Sequence, residues 1–270
     1  MALTPLNMAA FTVTPNAAGS PPAVAMLGLL KAFAAKADND EVDAGGLADR
    51  YELSMNVKQG QTIYFTTYFA GPGDGSEPVL TNLDISLWEL GGTNYLGSVR
   101  SGKLEVSAVM REASGIAAAY KSPSAVRTKV RLTTQNLVLT NAAFLGTLIS
   151  GGVTSFDVAA AVTWGSTAFV MPMTIKSSKH TIEREEMQFE EVVCTGKGAP
   201  TGPSDNSLLG NMLLGTAQVG LAIDTGGGQY NTGSGMWALI TKLTTFFSDA
   251  NCIEQIGQFM YQGPATFATG

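Results

Sequence analysis

A cluster of glutamates is the first feature of this sequence whose residue types could do chemistry. Five of the chain's 22 acidic residues fall within nine positions: Glu183, Glu185, Glu186, Glu190 and Glu191. Charged residues make up only 14% of the chain, so this crowding is unusual within the protein. Carboxylates at this density could form an acid–base pair, bind a hard cation such as Ca²⁺, or create a negatively charged surface.

The glutamate spacing argues against the first two uses. Glu185 and Glu186 are neighbours, and neighbouring side chains on a strand point to opposite faces, so they make a poor acid–base couple. The D-x-D-x-D-G pattern of a calcium loop is missing. A second acidic cluster lies at residues 38–43 and is predicted to be a solvated loop rather than a metal site. Its members are Asp38, Asp40, Glu41 and Asp43.

Other motifs of catalysis are also missing from the sequence. His180 is the only histidine, and its surroundings, KSSKHTIE, lack the glycines of a nucleophile elbow, so we expect a surface histidine at a turn. Gly196-Lys197-Gly198 is followed by Ala199-Pro200, which cannot donate the N–H groups of a phosphate cradle. We therefore predict that the protein is not an enzyme and has no catalytic residue, metal or cofactor.

The cysteines and the apolar runs indicate a protein of a reducing compartment. Cys194 and Cys252 are 58 residues apart and belong to no CxxC pair, which excludes a zinc site of ordinary spacing. We expect two reduced, buried thiols, with a single disulfide as the alternative. The sequence contains no run of 18 apolar residues, so no membrane span is predicted. The segment MALTPLNMAAF lacks the basic stretch of a secretory signal.

Composition predicts a folded protein that does not read nucleic-acid sequence. The 270 residues are 45% hydrophobic, enough for a substantial core in one large domain with appendages or in two small domains. The net charge is −6, whereas a sequence-specific nucleic-acid reader carries a basic footprint.

The elements that position these residues begin with an N-terminal arm and a predicted helix. Residues 1–20 are predicted to be an arm. Ser20-Pro21-Pro22 is typical of a helix start, and Met26, Leu27, Leu30 and Phe33 then share one helical face, which predicts a packing helix over residues 22–37.

From Asp49 onward the apolar period changes to two, which is typical of strands. A hairpin is predicted from 51–57 and 61–69, with Gln59-Gly60-Gln61 as its turn. Further strands are predicted at 83–90, 102–110, 126–137, 156–164, 166–176 and 182–193, with a loop at 71–78, turns at Gly91-Gly92 and Gly165-Ser166, and a short helix at 142–150. The predicted apolar faces carry Leu83, Ile85 and Leu87 on the first of these strands, Leu104, Val106, Ala108 and Met110 on the second, and Phe169, Met171, Met173 and Ile175 on the fifth. The pattern predicts a mainly β protein: an antiparallel β-sandwich or barrel with one or two short flanking helices.

We divide the chain into three predicted segments. Residues 1–49 form the N-terminal arm and helix, and residues 50–205 form a β-rich domain. The Gly- and Pro-rich stretch 196–207 is the strongest linker signal. Residues 206–270 are predicted to be a C-terminal extension with a hairpin that either completes or decorates the core.

Charge is segregated by face on two of the predicted strands. Arg127, Lys129 and Arg131 lie opposite Val126, Val130 and Leu132 on one strand. Glu183, Glu185 and Glu191 share a face of the other strand. These two sets could pair across an interface, line a water-filled surface, or belong to a plain solvated face.

Two stretches resemble a known family. ISLWELGGTNYLGSVRSGKLEVSAVMREASGIAAAYKSPSAVRTKVRLTTQNLVL, residues 85–139, is similar to the first half of tail tube (major tail) proteins of tailed bacteriophages. VAAAVTWGSTAFVMPMTIKSSKHTIEREEMQFEEVVCTGKGAPTG, residues 158–202, is similar to that family's closing hairpin. The predicted helix at 142–150 falls where the family has one.

The resemblance implies a structural virion protein that is assembled in the host cytoplasm. Such subunits form hexameric rings that stack into a hollow tail tube, bind other tail proteins and share their sheets around a lumen that conducts double-stranded DNA. Six copies of a chain with net charge −6 carry −36. A negative lumen repels phosphates, so DNA slides without sticking. Glu183, Glu185 and Glu191 would line this lumen or pair with Arg127, Lys129 and Arg131 of a neighbour.

Two other functions remain open at the level of sequence. One is a phage decoration protein or another virion β-sandwich, which would share this composition. The other is a carbohydrate-binding β-sandwich that uses Trp88, Trp164 and Trp237 as stacking platforms.

Overall fold

The structure is a computed structural model of the chain. It describes residues 8–15, 24–25, 27, 30–47, 50–51, 54–67, 85–137, 157–164, 167–182, 188–201, 208–213, 218–224, 228–231, 237–248, 251–263 and 266–269. The predicted loop at 71–78, the predicted helix at 142–150 and the predicted turn at Gly165-Ser166 lie outside these ranges.

The described residues form a mainly β protein, which confirms the predicted fold class. The first eight strands are β1 Ala10–Pro15, β2 Val24–Ala25, β3 Leu30–Asp43, β4 Ser54–Thr67, β5 Ile85–Leu90, β6 Thr93–Asn94, β7 Val99–Glu112 and β8 Pro123–Leu137. The next eight are β9 Asp157–Trp164, β10 Thr167–Thr181, β11 Phe189–Gly196, β12 Gln218–Asp224, β13 Gly228–Asn231, β14 Ala238–Ser248, β15 Asn251–Tyr261 and β16 Thr266–Thr269. One short helix, α1, spans Leu208–Leu213.

All the strand ladders are antiparallel and belong to one branched sheet that does not close into a barrel. Its central order is β6–β5–β9–β10–β11–β8–β7–β14. At β14 the sheet divides because this strand pairs with β15 along its whole length, and also with β12 near its start and with β7 along the rest. One branch continues through β12 to β1, β13 and β16, and the other through β15 to β4 and β3.

The core shows that the sheet folds back on itself. Trp88 of β5 is fully buried and packs edge-on against Phe247 of β14, with ring centroids 5.3 Å apart. An ideal Cβ on Gly102 of β7 would lie 2.1 Å from the Trp88 ring. Since β5 and β7 are far apart in the strand order, only a folded sheet brings them into contact. Phe65 and Phe259 stack at 4.8 Å in the β4–β15 branch.

Alternation predicted the inward faces of several strands correctly. Leu104 and Val106 of β7 are buried. On β10 the buried side chains are Phe169, Met171, Met173 and Ile175. On β5, a register shift between Ile85 and Leu87 turns Trp88 and Leu90 inward, so the predicted face is wrong after the bulge. The predicted Gly91–Gly92 turn is present, and both glycines have positive φ, 60° and 83°.

The predicted helix over 22–37 is wrong where the structure describes it. Residues 24–25 are β2, and residues 30–37 are the first part of β3. Along β3 only Leu30, Phe33 and Asp38 are partly buried, and the other side chains are exposed. Pairing with β4 along the whole of β3 overrides the helix propensity of the alanine-rich segment. The predicted solvated loop at Asp38–Asp43 is therefore also a strand.

Two predicted strand boundaries are wrong as well. Gln59-Gly60-Gln61 is not a turn, because β4 runs unbroken through it and pairs with β3. Gly60 is buried against the side chain of Lys121, so this glycine permits a close approach. The predicted strand 182–193 begins only at Phe189, because Ile182 and Gln188 lie outside β10 and β11.

Candidate functional site

The predicted basic face is present on the outside of β8. Val130 and Leu132 point inward and are buried, whereas Arg127, Lys129 and Arg131 are exposed on the opposite face. Val126 was predicted to share the buried face, but it is 52% exposed because the β7–β8 register shifts beside it, between Val109 and Met110.

Neighbouring strands turn this face into a groove of about 720 Å³, which we call the basic groove. Glu105 of β7 and Thr195 of β11 lie directly opposite Arg131 on either side, so three strands meet along one cross-strand row. The cationic side chains that line the groove are Arg127, Lys129, Arg131, Lys176 and Lys197.

Two carboxylates in or beside the groove are paired with lysines, and of these lysines only Lys197 lines the groove. Glu105 forms ion pairs with Lys103 at 3.0 Å and with Lys242 at 3.5 Å. Burial raises the pKa of Glu105, but the hydrogen bonds and positive charges of these two lysines outweigh burial, so its pKa lies below the ordinary value. Asp157 pairs with Lys197 at the other side of the groove.

The remaining cations of the groove have no counter-ion among the residues that the structure describes. Within the described part of the chain, Arg127, Lys129, Arg131 and Lys176 form no ion pair. The groove is therefore a concentrated positive surface on a chain whose net charge is −6. It suits an acidic partner and not a neutral or basic one.

Of the three glutamates predicted to share a face, the structure describes Glu191 alone. Glu191 is exposed on β11, on the same face as Arg131, but it lies opposite Gln135, four residues further along β8. At about 3.4 Å per residue the two side chains are roughly 14 Å apart, too far for direct pairing within one chain. Glu183 and Glu185 lie outside the described residues.

Glu190 is buried, a feature that the sequence analysis missed. It is 1% exposed and accepts a hydrogen bond from the Ser178 hydroxyl at 3.0 Å. Asn136 and His180 lie opposite it on the flanking strands, so His180 is a strand residue and not the predicted turn residue. Burial and the charge of Glu190 raise the pKa of Tyr95, against a hydrogen bond from Thr93. Alternation with the buried Val192 and Cys194 was the signal that placed Glu190 inward.

The second acidic cluster lies on the exposed end of the β3–β4 hairpin, and sequence reasoning did not assign it to an interface. Asp38 pairs with Lys36, and Asp40 pairs with Lys121, each at 2.6 Å. Glu41 and Asp43 form no ion pair with any described residue. The exposure of these side chains could have been expected because they are charged, but their position on a hairpin could not.

Four further residues bear on the other predictions. Cys194 is a free, buried thiol, as predicted, and burial raises its pKa to about 11. The Cys252 and Trp164 side chains lie outside the described part of the structure. Trp88 is fully buried, so it is not a stacking platform for a sugar.

Searches of the described part of the chain found neither a metal-binding cluster nor a membrane-spanning helix. No group of three or more histidine, cysteine, aspartate or glutamate side chains there could hold a metal ion. None of the helical residues that the structure describes forms a helix long and apolar enough to cross a membrane.

Comparison with known proteins gave a match in structure but not in sequence. No family model and no curated protein matches the chain. Among solved structures, one similar chain comes from the tail of an empty gene transfer agent particle, refined with helical C6 symmetry, and another from the virion of a native gene transfer agent particle. Each is 10% identical, with a TM-score of 0.37, over 46% of this chain and 97% of the other. A likeness at this level does not assign a function.

Proposed function

We propose that this protein is a structural subunit of a phage-like virion tail, and that its copies form hexameric rings stacked into a tube for double-stranded DNA. The observation that carries the proposal is the β3–β4 hairpin, which leaves an open strand edge and apolar side chains for another copy to cover. The residue patterns at 85–139 and 158–202, which resemble tail tube proteins, are in keeping with it.

The hairpin extends beyond the rest of the sheet. The β4 residues that pair with β15 are Thr62–Thr67, so the earlier residues of β4 have β3 as their only strand partner among the described strands. We call residues 39–43 and 54–58 the distal hairpin. Its described contacts with the rest of the chain go to the connection between β7 and β8. Gln59 exchanges backbone hydrogen bonds with Ala119 and Lys121, Asp40 pairs with Lys121, and Lys58 donates to Ser114.

Apolar side chains are exposed along this hairpin. Val42 and Met55 are cross-strand partners on one face, and they are 54% and 56% exposed. Leu47 and Tyr51 lie in the connection and are 112% and 86% exposed. Exposed apolar side chains that cluster on one projecting element are typical of a protein–protein interface.

The outer edge of β3 supports a second copy as the partner. This strand has 14 residues, and β4 is its only partner among the described strands. Where this edge has no partner among the described strands, its N–H and C=O groups can extend the sheet into another chain. Sheets shared in this way between identical subunits would close a ring and leave no open edge.

The charged residues have a role in this proposal. Glu183, Glu185 and Glu191 would coat the lumen or meet Arg127, Lys129 and Arg131 of a neighbour, and the exposure of Glu191 is compatible with both positions. A lumen of net negative charge would let DNA pass without the counterion release that accompanies tight binding. The subunit would thus be a virion component that acts without catalysis.

Electron microscopy of the purified chain tests the proposal. We expect negative-stain images to contain rings or tubes, and class averages of end views to show sixfold symmetry. A chain that remains monomeric in sedimentation velocity at milligram-per-millilitre concentration contradicts the proposal. Rings with a symmetry other than sixfold would support the proposed tube subunit and contradict the proposed hexamer.

A further inference from the structure

We propose that the distal hairpin of one copy docks into the basic groove of the next copy, with Glu41 and Asp43 facing the unpaired cations. The inference rests on the proposed function, because it names two surfaces that would meet when copies assemble. The groove cations and the hairpin carboxylates have no counter-ions among the described residues of one chain, and the proposed contact pairs them between two chains.

The acidic side of this contact is ordered within the hairpin. Glu41 and Asp43 are two residues apart on β3 and therefore share a face. Glu41 accepts a hydrogen bond from the Ser54 hydroxyl at 2.8 Å, and Asp43 accepts one from the Gly45 N–H at 2.8 Å. These bonds hold both carboxylates in place without neutralising them, so their charge remains available to a partner.

The basic side of the contact is a concave surface of matching charge. Arg127, Lys129 and Arg131 recur at every second residue of β8, and Lys176 lies across the groove on β10. The volume of about 720 Å³ is large enough to admit several side chains of a hairpin. Arginine binds carboxylates with two parallel hydrogen bonds, which favours an aspartate or glutamate as the group bound.

No described residue of the hairpin fills the groove of its own chain. The described contacts of the hairpin go to the connection between β7 and β8: Asp40 pairs with Lys121, and Lys58 donates to the Ser114 hydroxyl at 2.7 Å. None of the described contacts joins the hairpin to the groove. A contact between two different surfaces of identical chains is heterologous, and it generates a closed ring or an open stack, as a tube requires.

The alternative occupant of the groove is the phosphate backbone of DNA. The groove also contains Glu105, and Asp157 pairs with one of its lysines, so carboxylates lie beside the cations. These carboxylates and the net charge of −6 disfavour a polyanion with a phosphate at every nucleotide. A short hairpin that presents two carboxylates fits the four free cations better.

Reciprocal charge reversal tests the contact. The groove variant is Arg127→Glu with Lys129→Glu, and the hairpin variant is Glu41→Lys with Asp43→Lys; all four side chains are exposed. We expect each variant alone to raise the dissociation constant for self-association about tenfold or more, measured by sedimentation velocity. An equimolar mixture of the two variants should associate as the wild type does, because every hairpin then finds a groove of opposite charge. A chain that carries all four substitutions should do the same.

A matched control separates this contact from a change in net charge. Arg100→Glu with Lys179→Glu changes two exposed cations outside the groove and should leave association unchanged. Circular dichroism and the thermal unfolding temperature should be the same for all variants. If the groove variant and the hairpin variant each form the same rings as the wild type, and mixing them does not change self-association, the contact is rejected while the tube proposal stands.

Two other outcomes have equally definite meanings. If the wild type forms only small oligomers that the single variants abolish and the mixture restores, the contact stands and the tube proposal fails. Binding of a labelled 20-base-pair DNA duplex, followed by anisotropy, tests the other occupant. If the groove variant loses DNA binding but keeps wild-type self-association, the groove is a phosphate site and the inference is overturned.

Discussion

Two described glycines lie beneath aromatic rings. Gly102 lies under Trp88, and Gly257 lies under Phe65; an added Cβ would be 2.1 Å from the ring in both cases. Gly102 lets two distant strands of the folded sheet approach each other, whereas Gly257 is the cross-strand partner of Phe65 and leaves room for its ring. Their role is steric, because the space above each is already filled by the aromatic ring.

We predict that Gly102→Ala destabilises the protein by about 1–3 kcal/mol, because the new methyl group overpacks against Trp88. Chemical denaturation, with the midpoint and slope compared to those of the wild type, measures the change. Gly97→Ala is the matched control, since an added Cβ there meets no atom within 4 Å. Equal stability of the two variants would show that the sheet relaxes freely at Gly102.

The Cys194 thiol provides a residue-scale prediction about pH. Burial raises its pKa from 9.0 to about 11, so the unfolded chain ionises this thiol at lower pH than the folded chain. The stability that this group contributes is therefore complete below pH 9 and is lost as the pH rises towards 11.

In a Cys252→Ser background, we expect Cys194 to resist a thiol reagent at pH 8 until the protein is unfolded. Rapid labelling of the native protein would contradict its burial.

At the scale of elements, β3 is the strand that we expect to affect assembly most. It is long, mostly exposed and paired on one side among the described strands. Its charged residues are a common protection of edge strands against indiscriminate pairing. A functional partner therefore has to match this charge pattern, which agrees with a contact made between specific surfaces of the same chain.

A pair of proline substitutions tests the open edge. Adjacent residues of an antiparallel strand direct their N–H groups to opposite edges, so Ala34→Pro and Ala35→Pro remove donors from opposite sides of β3. We expect one variant to weaken the β3–β4 hairpin and lower the unfolding temperature. The other should keep that temperature but reduce ring formation in electron micrographs. If the stable variant still forms normal rings, β3 does not join subunits.

At the scale of the whole molecule, the C-terminal strands are part of the central sheet. β14 pairs with β7, and β15 joins β14 to β4. Leu239, Ile240 and Leu243 of β14 are buried in the same core as residues from the earlier strands. The segment after residue 205 therefore connects parts of the sheet that do not otherwise pair.

We predict that a chain ending at residue 205 does not fold cooperatively, because removing β14 exposes the edge of β7 and the apolar core behind it. The full chain should show a single thermal unfolding transition by calorimetry, whereas the shortened chain should show none. A shortened chain with a sharp transition of its own would mean that residues 206–270 decorate an independent domain.

The faces of individual strands were predictable from the sequence, because successive side chains on a pleated strand point to opposite sides. The buried run on β10 and the exposed Arg127, Lys129 and Arg131 on β8 follow from this local rule alone. A local rule fails where the backbone departs from regular pairing, as it does at the β5 bulge. It also cannot identify the partner of a strand.

Only the tertiary structure decided which distant segments meet. Residues 30–37 are compatible with a helix until β4 pairs with them, and Gly60 is compatible with a turn until Lys121 covers it. The basic groove gathers side chains from strands that are separated by tens of residues. Such contacts depend on the free energy of the whole sheet and not on the propensity of one segment, which is why strand pairing, and with it the groove, could not be derived from spacing along the chain.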